Sequence, residues 1–537
     1  MSDFPPLTIE NLSFRYRIRE DLAIRNISLT FERGRVVLIA GASGCGKTTL
    51  IRCINGLIPR SYKGELTGRI LLDGVDITPL KLAEISQKVG TVLQDPERQI
   101  LGTKVVNEVA FGLENLGKPR GVILDCVEDA LNRLKISDLR DRDTFRLSGG
   151  EKQKVALAGV LAMRPEILLL DEPLASLDPA SGEEALFMVR QLANEGMMVL
   201  LIEHRVEDVL KINPEQVILM SGGEIRYNGD AQALDNTIDY REVKLPAPLI
   251  MQCAKDEKPR EFYSPLPRKD NGKQPLVSFK DVGFFYEENH PVIKDITLDI
   301  FSGDRIAVLG PNGAGKTTLI KHAIGLLRPK QGQVLVEGRD TQSMSVAEIA
   351  QTLGYVFQSP SHMLFAPTVQ EELEFGPKNL GHSQTQIGKE VKEAIDIVNL
   401  TGMEASPPLA LSFGQQKRVS IAAVLAMRSK ILVMDEPSAG QDYRNYIEFM
   451  DAISQLPNFS AVLFITHDID LAVIYANRVL VINDGRLVCD GSPHEMLKDF
   501  LYLRENRLVP TTLLETNLKY YGKTGKFMRA EALAHVV

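Results

Sequence analysis

Gly41-Ala-Ser-Gly-Cys-Gly-Lys-Thr-Thr49 and Gly310-Pro-Asn-Gly-Ala-Gly-Lys-Thr-Thr318 are two copies of one glycine-rich loop. The first follows a short apolar run, Val36 to Ala40, and a helical pattern begins at Thr49. Strand, glycine-rich loop and helix in that order form the context that G-x-x-x-x-G-K-[ST] needs to bind phosphate. Glycine lets backbone amides converge on phosphate oxygens without a Cβ in the way. The expected cradles are Gly41, Ser43, Gly44, Cys45, Gly46, Lys47, Thr48 and Thr49, and Gly310, Asn312, Gly313, Ala314, Gly315, Lys316, Thr317 and Thr318. Lys47 and Lys316 are placed to bridge the β- and γ-phosphates of ATP, and the Thr48 and Thr317 hydroxyls to ligate Mg²⁺. The helix N-terminus behind each loop favours the phosphate charge.

The duplication extends along the chain. LSGGE (Leu147 to Glu151), ILLLDEP (Ile167 to Pro173) and His204 are followed, in the same order, by LSFGQ (Leu411 to Gln415), ILVMDEP (Ile431 to Pro437) and His467. Asp171 and Asp435 end apolar strands, where a carboxylate reaches the Mg²⁺ shell. Glu172 and Glu436 come next and are placed to polarise the attacking water; the competing reading is a helix-capping acid. A lone histidine after a strand is usually structural. His204 and His467 recur at matched distances from the aspartates, so both are read as contacts to the γ-phosphate. Gln94 and Gln358 close strand-like runs and suit contact with Mg²⁺ or water. Tyr16 and Tyr286 precede the loop lysines by similar distances and could stack on adenine; a buried core tyrosine is the alternative.

The chain has 537 residues, enough for two full cores. We divide it into a first ATPase domain (1–230), a linker or appendage (231–275), a second ATPase domain (276–500) and a C-terminal tail (501–537). A partial repeat links Arg241 to Leu249 with Arg504 to Leu513, so the connector reads as more than a tether. Charged residues at 25% and apolar ones at 44% are ordinary for a globular protein, and a net charge of −8 gives no support to nucleic-acid binding. Five scattered cysteines show no metal-ligand spacing and suit a reducing compartment. No apolar run approaches the roughly 18 residues needed to span a bilayer. The start has no basic-then-apolar signal pattern.

With these residues assembled, the chain resembles the ABC-type ATPases, whose signature motif LSGGE and LSFGQ match. The resemblance covers most of the chain. It implies an α/β fold with two P-loop nucleotide-binding domains in tandem, each with a helical subdomain and an antiparallel β subdomain. It also implies ATP and Mg²⁺ as cofactors and head-to-tail pairing of the two domains within the chain. Signature residues Ser148, Gly149 and Gly150, and Ser412, Gly414 and Gln415, would then contact nucleotide bound to the opposite loop.

A narrower similarity follows the glutamines: Gln94-Asp-Pro-Glu-Arg-Gln-Ile-Leu-Gly and Gln358-Ser-Pro-Ser-His-Met-Leu-Phe-Ala resemble the energy-coupling factor (ECF) transporters of prokaryotes. That likeness implies an importer of a vitamin, vitamin precursor or transition-metal ion. It implies a membrane T subunit, a substrate-binding S subunit and a peripheral position on the cytoplasmic face of the membrane. The docking surface is expected at 94–111 and 358–375, with Glu97, Arg98, Glu108, Glu371 and Glu372 as a charged rim beside apolar Leu101, Leu364 and Phe365.

There are departures. Phe413 replaces a signature glycine, which predicts backbone strain and a slower site at Lys47. The segment Ala439 to Asp442 differs from Ala175 to Asp178, and His204 is flanked by Glu203 and Arg205. Two rival readings are a sugar-importer ATPase and a soluble ribosome-associated ABC ATPase. The segments after the glutamines argue against the first. The second usually needs a long basic linker, which this chain lacks.

Overall fold

The apolar run before the first glycine-rich loop is a strand, Val36–Ala40, with every residue buried. Burial on both faces is the pattern of a parallel strand covered by helices. In the computed structural model the described residues are 4–18, 20–175, 177–234, 239–260, 262–266, 274–438, 441–456 and 459–537. The chain divides into two units, residues 1–245 with 442–444, and 246–441 with 445–537.

In the first unit Val36–Ala40 is central to a six-stranded sheet. The order is Glu224–Gly229, Gln216–Ser221, Val36–Ala40, Met198–Ile202, Ile167–Asp171, Val89–Val92, with only the first strand antiparallel. A four-stranded antiparallel sheet is built on Leu7–Tyr16. The helix Lys47–Ile54 starts at the glycine-rich loop and buries Leu50, Ile51, Cys53 and Ile54 in the core that both sheets share. Val37 and Ile39 join that core while Val36 and Leu38 do not, as the period-two alternation of a strand requires. Burying each such side chain contributes about 1.5–3 kcal/mol, so the core fixes the loop end of the helix. Three helices, Val105–Asn115, Arg120–Arg133 and Gly149–Ala162, pack on one another as a helical subdomain.

The second unit repeats the plan. Its six-stranded order is Leu353–Val356, Ile431–Asp435, Ala461–Ile465, Arg305–Leu309, Arg478–Asn483, Arg486–Gly491, and its antiparallel sheet is built on Val277–Phe285. Its helical subdomain comprises Val369–Asn379, Gln384–Ile397 and Phe413–Ala426.

The connector is divided. The Lys244 carbonyl accepts from the Glu207 amide at 3.1 Å in the first unit. The helix Ala247–Ala254 packs on the helices Thr512–Thr524 and Ala530–Leu533 of the second unit. The Ala247 amide donates to the Thr512 hydroxyl at 2.8 Å. Arg529 lies over the Phe262 and Tyr475 rings and pairs with Asp451. The last 37 residues, which the sequence reads as a tail, therefore close over the second unit together with part of the connector. Among the described residues no helix is long and apolar enough to cross a membrane.

Candidate functional site

Each glycine-rich loop leaves its strand through a position only glycine fits. A Cβ on Gly41 would sit 2.1 Å from the Met220 carbonyl oxygen, and one on Gly310 would sit 2.0 Å from that of Ile482. The helices Lys47–Ile54 and Lys316–Ala323 begin at left-handed Gly46 and Gly315, with no side-chain cap and no acid in the first turn. Their first amides are thus left to an incoming anion. The Lys47 ammonium donates to the Gly41 and Ala42 carbonyls at 2.7 and 2.9 Å, and Lys316 to those of Gly310 and Pro311 at 2.8 and 2.9 Å. Both lysines are therefore held at the centre of their loop. Cys45 is buried, its Sγ 3.8 Å from the Lys47 ammonium. Burial pushes its thiol up despite the lysine beside it.

At the strand ends, the Thr317 hydroxyl and the Tyr355 phenol both donate to Asp435 Oδ2, at 2.8 and 2.7 Å. Thr48 lies close enough to Asp171 to favour its charged form. Burial, and then the neighbouring Glu172, push Asp171 up to about 6; burial likewise raises Asp435. Threonine hydroxyl and carboxylate oxygens are hard donors that fit Mg²⁺. Among the described residues no cluster of three or more His, Cys, Asp or Glu forms a closed cage. An ion held here would complete its shell with phosphate and water, the usual habit of Mg²⁺.

Glu172 and Glu436 adopt left-handed backbone, φ 50° and 46°. Such strain in a non-glycine residue persists where the surroundings hold it, often at a working site. His204 Nε2 lies 2.9 Å from Glu172 Oε1, and His467 Nδ1 lies 3.1 Å from Glu436 Oε1. Burial opposes ionisation of both glutamates, but their histidine partners, together with Lys47 or Lys316, outweigh it and hold both carboxyls low. Both stay ionised, as a group that polarises water must. The structure thus brings together the loop lysine, threonine, aspartate, glutamate and histidine in each unit.

The glutamines differ. Gln94 Nε2 donates to Glu172 Oε2 at 2.6 Å. Gln358 is exposed, and among the described residues its side chain makes no such bond, so Glu436 Oε2 is buried without a partner. Three further residues were given no role by the sequence. Lys417 is fully buried beneath Asp435 and Glu436, at the place Gln153 holds in the first unit. Burial draws its ammonium down to about 8 even though the two carboxylates favour the charge. Tyr355 stands where the first unit has Thr91 in the matched strand. Glu203 is buried beside His204 where the second unit has Thr466. A position-by-position comparison of the two halves would have found all three.

Tyr16 and Tyr286 reach the loop helices through Thr49 and Thr318, with hydroxyls 3.1 and 3.4 Å apart. Tyr16 also packs on the core, whereas Tyr286 is 59% exposed. Ser148 caps Gly149–Ala162 in a box with Glu151, and Ser412 caps Phe413–Ala426 in a box with Gln415. Neither serine hydrogen-bonds the glycine-rich loop of its own unit among the described residues. The expected strain at Phe413 is not found. Phe413 is the first residue of a regular helix, a conformation open to any residue, and Gly149 fills the same place in the first unit. Ser176, Ala439 and Gly440 of the segments contrasted above lie outside the described residues.

The segments after the glutamines carry a second correction. Glu108 and Glu372 are not rim residues; they are 7% and 5% exposed. Glu108 Oε2 accepts from the Leu101 and Gly102 amides at 2.8 and 2.7 Å, and Glu372 Oε2 from those of Phe365 and Ala366 at 2.8 Å each. Leu364 is buried as well. What these carboxylates hold outward is apolar: Leu101 is 68% and Phe365 61% exposed, and Phe365 meets exposed Phe375 edge-on at 4.8 Å. Arg98 is exposed, and Glu97 pairs with Lys152.

A profile described as ABC transporter matches residues 24–175 and again 293–439. A protein of Streptococcus pneumoniae assigned as an ABC transporter ATP-binding protein is 37% identical over 536 residues, covering 95% of this chain and 93% of its own. One from Caldanaerobacter subterraneus, assigned alike, is 33% identical over 552 residues, covering 96% of each. Among solved structures, CbiO1 from Clostridium perfringens, described as part of the ABC transporter complex CbiONQ, is 30% identical. It covers 43% of this chain and 94% of its own, with a TM-score of 0.39.

Proposed function

The chain belongs to the ABC transporter family as an ATP-binding subunit with two ATPase domains, and we propose that it energises an ECF-type importer of a vitamin, vitamin precursor or transition-metal ion. The carrying observation is the paired loop after each glutamine. A buried carboxylate pins each one in the same way and leaves Leu101 or Phe365 standing in solvent. Each loop starts at a glutamine beside the nucleotide machinery. A segment tied to nucleotide at one end and to a partner at the other converts hydrolysis into movement. Exposed apolar side chains beside Arg98 suit an amphipathic helix of a membrane T subunit, with a separate S subunit carrying the substrate. The chain would then sit peripherally on the cytoplasmic face of the membrane.

In this reading the amides of each loop and Lys47 or Lys316 bind the triphosphate. Thr48 with Asp171, and Thr317 with Asp435, hold Mg²⁺, which neutralises charge on the phosphates when bound. Glu172 and Glu436 orient the attacking water and accept its proton, and His204 and His467 keep those carboxylates ionised and aimed.

Co-purification from detergent-solubilised membranes, with mass spectrometry of the partner chains, tests the assignment. Leu101→Asp with Phe365→Asp should abolish membrane retention and leave basal ATPase activity in solution. Retention unchanged by that pair would place the interface elsewhere.

A further inference from the structure

Lys417 is the fifth residue of the helix that Ser412 caps, and it is 0% exposed. Its ammonium donates to four main-chain carbonyls: Gln358 at 2.8 Å, Phe357 at 3.1 Å, Glu436 at 3.3 Å and Asp435 at 3.4 Å. Three N–H groups are thus shared among four acceptors. Those carbonyls lie just past Leu353–Val356 and at the end of Ile431–Asp435, two strands paired in parallel. One cation therefore joins the signature helix, the start of the glutamine loop and the Asp435–Glu436 turn. Glu436 is the strained residue of that turn. Its amide donates to the Ile465 carbonyl at 2.9 Å and its own carbonyl accepts from Lys417, so its peptide is held on both sides. In the first unit the matching Gln153 is a neutral amide, and it donates to the Pro173 carbonyl.

We propose that Lys417 is a positioning residue of the second site, fixing the direction of the Glu436 carboxylate and its place relative to Gln358 and the signature helix. It acts through main chain, since the four acceptors of its ammonium are backbone carbonyls. Without it four carbonyls in a buried pocket lose their donor, and the turn is free to relax toward an unstrained conformation. A misplacement of about 1 Å at a catalytic group can cost on the order of 10²-fold in rate. The ATP-binding parts, Lys316 and its loop, do not depend on these bonds.

The proposal rests on ATP hydrolysis at the second site, and the full-length purified chain tests it. Lys417→Met removes every donor; Lys417→Gln supplies the residue that the first unit uses and guards against simple loss of folding. ATPase kcat, KM for ATP and the thermal midpoint are measured for each. The expected result is a kcat for Lys417→Met lowered about 10- to 100-fold, KM within about threefold of wild type, and Lys417→Gln in between. A kcat for Lys417→Met within about twofold of wild type would overturn the proposal. So would a loss in both variants that follows the folded fraction and moves KM equally. A wild-type chain without ATPase activity would instead sink the reading of the site itself.

Discussion

The two units place the same glutamate in the same strained conformation, yet they spend its oxygens differently. Glu172 has both engaged, one by His204 and one by Gln94. Glu436 has one engaged by His467, and the other is buried without a partner among the described residues. Beneath the second turn lies a lysine where the first has glutamine, and Tyr355 grips Asp435 where the first unit carries Thr91. A buried carboxylate oxygen that holds no donor is a better acceptor for a water than one that already holds an amide. The difference arises from a few substitutions under an unchanged fold.

Replacing each glutamate breaks or sharpens that comparison most directly. Glu436→Gln should lower kcat by about 10²–10⁴-fold, the usual worth of a positioned general base. Glu172→Gln should cost less, because Gln94 already competes for one of its two oxygens. Steady-state ATPase assays of the two single variants decide it. Equal losses would mean that the hydrogen bonds do not rank the sites.

What the units share is tested by the buried carboxylates. Glu108→Ala and Glu372→Ala each remove two charge-assisted bonds to loop amides and leave those amides without a partner. Each should cost about 1–3 kcal/mol, by similar amounts in both units. Urea unfolding measures this; a change below about 0.5 kcal/mol in either would show that the loop is not held by its glutamate.

These two residues also mark where sequence reading stops. The phosphate loops, aspartates, glutamates and histidines were legible because each is a short contiguous motif following an apolar strand. Glu108 and Glu372 read as surface because each is a charged residue with no partner evident in the sequence. Only the side chain's turn back onto amides six and seven residues upstream buries them. Lys417 is hidden for the same reason, since a lysine among Gln415, Gln416 and Arg418 reads as solvated until four distant carbonyls converge on it. The connector was legible only in part. The partial repeat at Arg241 to Leu249 marked 231–275 as more than a tether, but not that the helix Ala247–Ala254 finds its apolar partners in the last residues of the chain.

The smallest expected effect concerns Glu203, a buried carboxyl in the first unit where the second has Thr466. Its Oε1 accepts from the Leu174 amide at 2.7 Å and its Oε2 from the His204 amide at 3.2 Å, so it shapes the turn that aims the histidine. Burial, and then the nearby Glu172 charge, push its carboxyl up to about 7, with Arg205 opposing. In the unfolded chain a glutamate titrates near 4.3. The folded state therefore binds this proton more tightly. Its contribution to stability is complete below about pH 4.3, declines as pH rises toward 7 and is gone above that. The slope cannot exceed about 1.4 kcal/mol per pH unit, because one proton is involved. Glu203→Gln keeps an acceptor for the Leu174 amide and removes the titration. Its urea midpoint should therefore gain on wild type between pH 5 and pH 7 and run parallel to it from about pH 8. Thr466→Ser, the matched change in the second unit, should leave the pH profile as it was. A wild-type midpoint that follows Glu203→Gln across the whole range would show that Glu203 is ionised in the folded chain and that the two turns do not differ in this respect.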